Sequence, residues 1–327
     1  MSLARVVDAA LEGSVLGSFT CLGYGVRRRL GSWEAPGRLD GRVALVTGAT
    51  SGLGLAYARG LAALGAETHL LGRDRARVEA ARGRIVEATG NDALRVWVGD
   101  LAEPRGVAAL ARELAGAIPR LDVLIHNAGA IAPARALHDG VESTVATQLL
   151  APYLLTEALH DALAAAPPGR VVLVASGGMY AEPFDLERLA RLEGPFDGVR
   201  TYARVKRAQV VLARAWARRW PAGVVSVVAL HPGWTDTPGL ARSLPRFYRA
   251  LRPVLRTPDQ GADTGLWFAG AAGAPSLSGS FLFDRRPRST ERLPRTRSRD
   301  PRGDEERLMG WLAGLAADAA GPGSEHR

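Results

Sequence analysis

Cysteine and lysine are all but missing from this chain of 327 residues, which carries one of each, Cys21 and Lys206. A lone cysteine excludes an internal disulfide and falls short of any thiolate metal spacing, so the sequence predicts a reducing, cytoplasmic setting and no zinc. An apolar run long enough to cross a bilayer is lacking too. The uncharged stretch from Gly13 to Val26 is too short, and Thr264 to Phe283 is interrupted by Pro275, glycines and serines. Acidic residues are the minority, 33 against 42 basic ones, for a net charge of +9. No zinc-finger, RNP-type or basic-zipper pattern accompanies that excess, which argues against nucleic acid as a partner.

The scarcity of lysine gives weight to the one that remains. Every other basic position is arginine, so almost any site content with a generic cation has taken a guanidinium. Lys206 stands four residues after Tyr202 in Tyr202-Ala203-Arg204-Val205-Lys206. Ammonium is a compact point charge with three rotatable donors, whereas guanidinium is a planar fork. A phenol that must lose and regain a proton is helped by a cation of the first kind, since a nearby positive charge stabilises phenolate. The pair is therefore a candidate for proton transfer.

A hydrophobic content of 47% suits one large core. Apolar runs alternate with helical periodicities: strands at 43–47, 67–71, 94–98, 121–126, 171–175 and 224–230, and helices at 53–64, 75–89, 103–117, 140–163 and 201–219. Short strands buried on both faces and joined through helices specify a parallel sheet covered on each side, a doubly wound α/β fold. Residues 41–284 would form this domain. Residues 1–40 are read as an amphipathic extension, with Leu3, Val7, Ala10 and Leu11 on one helical face and Arg5, Asp8 and Glu12 off it. Packing on the chain's own domain is expected of it, with peripheral membrane contact as the secondary reading. Residues 285–327 are read as a basic, proline-containing arm that stays solvated, followed by a helix capped by Asp304. Leu308, Trp311, Leu312 and Leu315 make the apolar stripe of that helix, which would pack on its own domain, and the chain is expected to be a homo-oligomer.

Thr47-Gly48-Ala49-Thr50-Ser51-Gly52-Leu53-Gly54 joins the first strand to the first helix, where a dinucleotide pyrophosphate meets backbone N–H groups and a helix N-terminus. Its Gly-x-x-x-Gly-x-Gly spacing differs from the Gly-x-Gly-x-x-Gly fingerprint. With it come Asp100-Leu101 after the third strand, Asn127-Ala128-Gly129 after the fourth, Ser176 ending the fifth, Tyr202-x-x-x-Lys206, and Pro232-Gly233 with Thr237. In that order the motifs resemble the short-chain dehydrogenase/reductase family from about Gly41 to Phe283. Ser176-Gly177-Gly178-Met179, Pro195-Phe196-Asp197-Gly198, His231-Pro232-Gly233-Trp234 and Gln260-Gly261-Ala262-Asp263-Thr264 resemble one branch of it.

The resemblance implies hydride transfer between a nicotinamide and an alcohol or carbonyl carbon. Tyr202 would act as general acid or base, Ser176 would hydrogen-bond the substrate oxygen, and Lys206 would hold the nicotinamide ribose while lowering the Tyr202 pKa. Asp100 would contact adenine, and Pro232, Gly233 and Thr237 would cover the nicotinamide. The family's helix before the fifth strand supplies an Asn that supports the lysine through a water, and Gln148 stands in that place, with Ala151 where Gly is usual. At the end of the second strand Gly72 occupies the position of an acid that would bind the ribose of NAD, and Arg73 follows it. That favours NADP(H), with NAD(H) the alternative and Thr50 and Ser51 as further 2′-phosphate contacts. The segment Trp234–Arg256, with Leu240, Leu244, Phe247 and Tyr248, is expected to wall a lipophilic substrate. Two rivals are a sugar epimerase or dehydratase, and a non-catalytic NADP(H)-binding sensor or scaffold.

Overall fold

The computed structural model describes residues 3–31 and 33–321. Three short helices come first, α1 (Leu3–Glu12), α2 (Val15–Phe19) and α3 (Cys21–Leu30). The alternation then runs β1 (Val43–Thr47), α4 (Gly52–Ala63), β2 (Glu67–Gly72), α5 (Arg75–Thr89), β3 (Leu94–Val98), α6 (Pro104–Ala117) and β4 (Val123–His126). A small hairpin of β5 (Leu137–His138) and β6 (Val141–Glu142) precedes α7 (Ser143–Val145), a π-helical turn at Ala146–Leu150, α8 (Ala151–Ala158) and α9 (His160–Ala164). There follow β7 (Gly169–Val174), α10 (Leu186–Ala190), α11 (Gly198–Arg219), β8 (Val225–Leu230), α12 (Pro238–Ser243) and α13 (Pro245–Leu251). Then come α14 (Pro258–Gly270), β9 (Phe281–Phe283), β10 (Arg286–Pro287) and α15 (Pro301–Ala320).

Eight strands make one sheet in the order β10-β9-β8-β7-β4-β1-β2-β3, parallel except for β10 against β9. Because successive side chains of a strand face opposite ways, β1 feeds two cores: Leu45 joins Leu114, Leu155, Trp216 and Leu312 on one face, while Ala44 and Val46 join Leu61, Ile85 and Phe268 on the other. This is the doubly wound architecture the apolar runs predict. The chain leaves β1 toward β2 on one side and later returns to β4 on the other, so the order reverses at β1. The carboxyl ends of β1 and β4 therefore open a crevice, the usual ligand position in such sheets.

Three sequence expectations need correction. The single helix expected over 140–163 starts only at Ser143, because Val141–Glu142 pairs with Leu137–His138, and it widens into the π turn that contains Gln148. The last helix is capped by Asp300, whose carboxylate accepts from the Gly303 N–H at 2.9 Å. Asp304 lies inside that helix and binds Ser298 and Arg307 instead. The stripe itself does dock on the chain's own domain, with Leu308 and Leu312 fully buried.

The basic arm is not a solvated tail. Arg285 pairs with Asp263 at 2.6 Å, Arg288 with Asp8 at 2.8 Å, and Arg292 with Glu12. Arg27 binds Asp8 and Asp284, each at 2.7 Å, and Arg256 binds Asp284 at 2.6 Å. Asp8 and Glu12 thus tie α1 to the body, and of its apolar face Val7 and Leu11 are partly buried beside Val26 and Leu30, whereas Ala10 is exposed. The side chains of Leu3 and Arg5 lie outside the described residues. Among those described, no helix is long and apolar enough to cross a membrane.

Candidate active site

The turn after β1 is shaped by close approach. Gly48 has φ 67°, and a Cβ on Gly54 would lie 2.1 Å from the Gly48 carbonyl oxygen, so a side chain at 54 would drive the helix off the turn. Thr47 Oγ1 accepts from the backbone N–H groups of Asn127 at 3.0 Å and Ala128 at 3.1 Å, and Asn127 Nδ2 donates back to Thr47 O at 3.0 Å. The two turns flanking the crevice are therefore locked together. Gly52 lies under Thr237, 3.1 Å from where its Cβ would be, which brings the segment after β8 over the same turn. Ser51 occupies the N-cap position of α4 without making a side-chain cap, and Leu53 is partly buried behind it.

At the far wall, Ser176 stands two residues past β7 and its Oγ accepts from the Gly178 N–H at 3.2 Å. Ser176 lies close enough to the Tyr202 hydroxyl to act on its titration. Burial pushes the Tyr202 phenol above its ordinary value, with Ser176 opposing that shift. The Lys206 ammonium sits 5.2 Å from the Tyr202 ring centroid and donates to Val174 O at 2.7 Å and Gln209 Oε1 at 3.1 Å. Desolvation brings its pKa down to about 7. Among the protein's own groups, desolvation works against the expectation that Lys206 holds the phenol low, because it weighs on both partners.

Gln148 corrects a second expectation. Its side chain does not support Lys206: Nε2 donates to Ala130 O at 2.8 Å, and Oε1 is buried without a partner beside Gly129, where a Cβ would come within 2.5 Å of it. What reaches the lysine is its backbone carbonyl, through Gln209, whose Nε2 donates to Gln148 O at 2.6 Å. Sequence reasoning missed Gln209. Its place three residues after Lys206, on the same helical face, was the available signal.

Nothing acidic stands ready at the end of β2. A Cβ on Gly72 would lie 2.8 Å from Val78 and 2.9 Å from Thr50, and the Asp74 carboxylate caps α5 by accepting from the Arg77 N–H at 3.1 Å. Arg73 is exposed and has no ion-pair partner among the described residues. Arg84, also missed, donates to Thr50 O at 3.1 Å. Asp100 is exposed and accepts from the Ala102 N–H at 3.0 Å, while the Leu101 side chain is buried in the core and can offer the crevice only its backbone. Pro232 and Gly233 are held on two sides: Trp234 N–H donates to Phe19 O of the N-terminal extension at 2.8 Å, and His231 Nδ1 accepts from the N–H of Gly177, after β7, at 3.0 Å.

These landmarks have relatives. The short chain dehydrogenase pattern matches residues 42–187. Human dehydrogenase/reductase SDR family member 12 is 40% identical over 281 residues, 85% of this chain and 87% of its own. The chain belongs to the short-chain dehydrogenase/reductase family. Mouse retinol dehydrogenase 14, another member, is 35% identical over 303 residues, 86% of this chain and 90% of its own. Among solved short-chain dehydrogenases, one from Burkholderia cenocepacia in complex with NADP superposes with a TM-score of 0.60 at 27% identity, covering 75% of this chain and 96% of its own. The chain is thus an oxidoreductase of the short-chain dehydrogenase/reductase class, acting on small molecules.

One groove of about 510 Å³ opens beside the start of α11, with Thr201, the neighbour of Tyr202, in its wall. Arginines dominate its rim, Arg188, Arg200 and Arg204 among them, but these three pair with Asp185 or Glu182. The apolar residues expected to wall a substrate are partly turned to each other. Trp234 packs edge-on to Phe247 at 4.9 Å, and Tyr248 donates to Asp236 at 2.9 Å.

Proposed function

We propose that this chain is an NADP(H)-preferring oxidoreductase that interconverts an alcohol and a carbonyl group, with Tyr202 as proton donor or acceptor. The observation carrying the reading is the Lys206 ammonium 5.2 Å from the Tyr202 ring centroid and bound to the end of β7 at Val174 O, with Ser176 beside the phenol. The residues present suit a nicotinamide dinucleotide. Thr47, Gly48, Thr50, Ser51, Gly52, Leu53 and Gly54 would present backbone N–H groups and the α4 N-terminus to the pyrophosphate. Asn127, Ala128 and Gly129 would floor the crevice, and Pro232, Gly233 and Thr237 would cover it, with Asp100 and the Leu101 backbone at the adenine end. When bound, the nicotinamide supplies or takes up the hydride. Ser176 and Tyr202 would together hold the substrate oxygen, and Tyr202 would give it a proton during reduction. The third N–H of Lys206 is left for the ribose.

The preference for NADP(H) rests on Gly72, on the engagement of Asp74 as a cap, and on the exposed Arg73, which has no ion-pair partner among the described residues. A 2′-phosphate would gain a charge-assisted contact from Arg73, and Gly72 puts no carboxylate in the position that would bind the ribose of NAD. In Arg73→Ala the NADPH dissociation constant should rise at least roughly tenfold while that of NADH barely moves. Equal losses for both cofactors in fluorescence titrations would remove Arg73 from the site. The substrate proposed is a lipophilic alcohol, aldehyde or ketone that contacts Leu240, Leu244 and Phe247.

A further inference from the structure

Lys206, Gln209 and Gln148 form a closed chain of buried polar groups, each no more than 3% exposed. Gln209 Nε2 donates to the Gln148 carbonyl at 2.6 Å, and its Oε1 accepts from the Lys206 ammonium at 3.1 Å. Only one orientation of that amide works. A carbonyl on one side can only accept and an ammonium on the other can only donate, so nitrogen must face Gln148 and oxygen must face Lys206.

The Gln148 carbonyl is available for a local reason. In an α-helix its partner would be the N–H of residue 152, and residue 152 is Pro152, which has none. The helix also widens there, with Ala151 N–H returning to Ala146 O five residues back. The π turn and the proline together present a carbonyl sideways to α11. The Gln148 side chain takes no part, since its amide is turned to Ala130.

We propose that Gln209 is a positioning residue that clamps the Lys206 ammonium to the Gln148 carbonyl, doing with a covalently held amide what the family resemblance assigns to a water. Three consequences follow from the chemistry. The acceptor cannot exchange with solvent, so Lys206 loses fewer of its contacts to fluctuation. An amide does not pass protons as a water does, so Lys206 is not a station on a wire through the helix. And the clamp, with Val174 O, offsets the desolvation that brings the lysine down to about 7.

The sequence provides its own probe, because lysine labelled with carbon-13 at Cε gives a single signal in this chain. Its chemical shift against pH reports Lys206 directly, with no substrate required. In Gln209→Leu, which fills similar space without polar atoms, the midpoint should fall by about one pH unit or more, a tenfold change in the protonation equilibrium. In Gln209→Glu it should rise, because a carboxylate then faces the ammonium. Gln209→Ala should shift it less than Gln209→Leu, since a water can occupy the freed polar space. Midpoints that stay within a few tenths of a unit of the parent in both the Leu and the Glu variants overturn the clamp. If Gln209→Leu does not fold, the Glu and Ala variants decide. The kinetic meaning rests on the oxidoreductase reading, and Tyr202→Phe separates the two. Undiminished reduction of 9,10-phenanthrenequinone by NADPH in Tyr202→Phe would sink that reading while leaving the clamp standing.

Discussion

Lys206 shows what a single side chain is asked to do in this protein. The residue is 3% exposed, and its ammonium lies 2.7 Å from one carbonyl and 3.1 Å from an amide and shares the space above the Tyr202 ring. A guanidinium keeps the charge but needs a larger planar cavity with more acceptors. Lys206→Arg should therefore lower kcat/KM at least roughly tenfold, about 1.4 kcal/mol in the transition state. Steady-state rates of both proteins would show it, and near-native turnover would mean that the position tolerates any cation. Gln148 yields a different expectation from the one its sequence position suggests. Because its side chain braces the backbone at Ala130, Gln148→Ala should loosen the turn after Asn127 and raise the cofactor KM by roughly two- to fivefold, with kcat little changed. A drop in kcat alone would return its amide to the proton machinery.

Helices in this fold serve as rulers, and α11 is the longest, 22 residues from Gly198 to Arg219. Its first turns carry Tyr202 and Lys206, the middle turns bring Gln209 to the π turn, and the far half anchors it through Trp216 and Trp220. Those two rings stack at 5.6 Å, and Trp216 Nε1 donates to Glu157 at 2.8 Å. The last helix, α15, lies along α11 and buries Leu308 and Leu312 completely. Leu312→Ala should cost about 2–5 kcal/mol, the range for a fully buried leucine whose cavity cannot collapse. Chemical unfolding would measure it, and a loss under 1 kcal/mol would show that α15 contributes little to the fold. The same variant should leave the Lys206 midpoint near the parent value, since α11 is also held by the core from β7 and β8.

For the molecule as a whole, the extensions at either end are fastened to each other and to the sheet. Asp284, fully buried, is held below the ordinary carboxylate range: its desolvation is outweighed by Arg256 and Arg27. Its contribution is complete above the usual carboxylate pKa and is lost as pH falls through its depressed value. Burial also pushes His126 and His231 down to about 3. Between about 3 and 6.5 the unfolded chain binds protons at these histidines that the folded chain does not, so stability falls as pH drops through that window. The slope should approach about 1.4 kcal/mol per pH unit for each histidine. From about 7 to 10.5 Lys206 acts in the same direction, because only the unfolded chain still holds its proton, so stability rises with pH. Urea midpoints taken from pH 4.5 to 9 should climb throughout, and a flat profile below pH 6.5 would show that the histidines are reached by water.

The doubly wound sheet, the Gly-rich turn and the order Ser176, Tyr202, Lys206 were legible in the chain because they rest on local periodicity and fixed spacing, which neighbours in sequence suffice to set. The preference for glycine at 48 and 54 is of the same kind, once a strand and a helix flank the turn. What only the tertiary structure decided involves partners far apart in sequence. That Arg288 and Arg292 grip Asp8 and Glu12 depends on the N-terminal helices lying beside β9 and β10, a placement no composition reveals. That Gln148 offers its backbone while Gln209 takes up the link depends on how α11 crosses a helix widened ahead of Pro152. Hydrogen bonds of a few tenths of an ångström tolerance are set by packing at that crossing, and packing is a property of the assembled core.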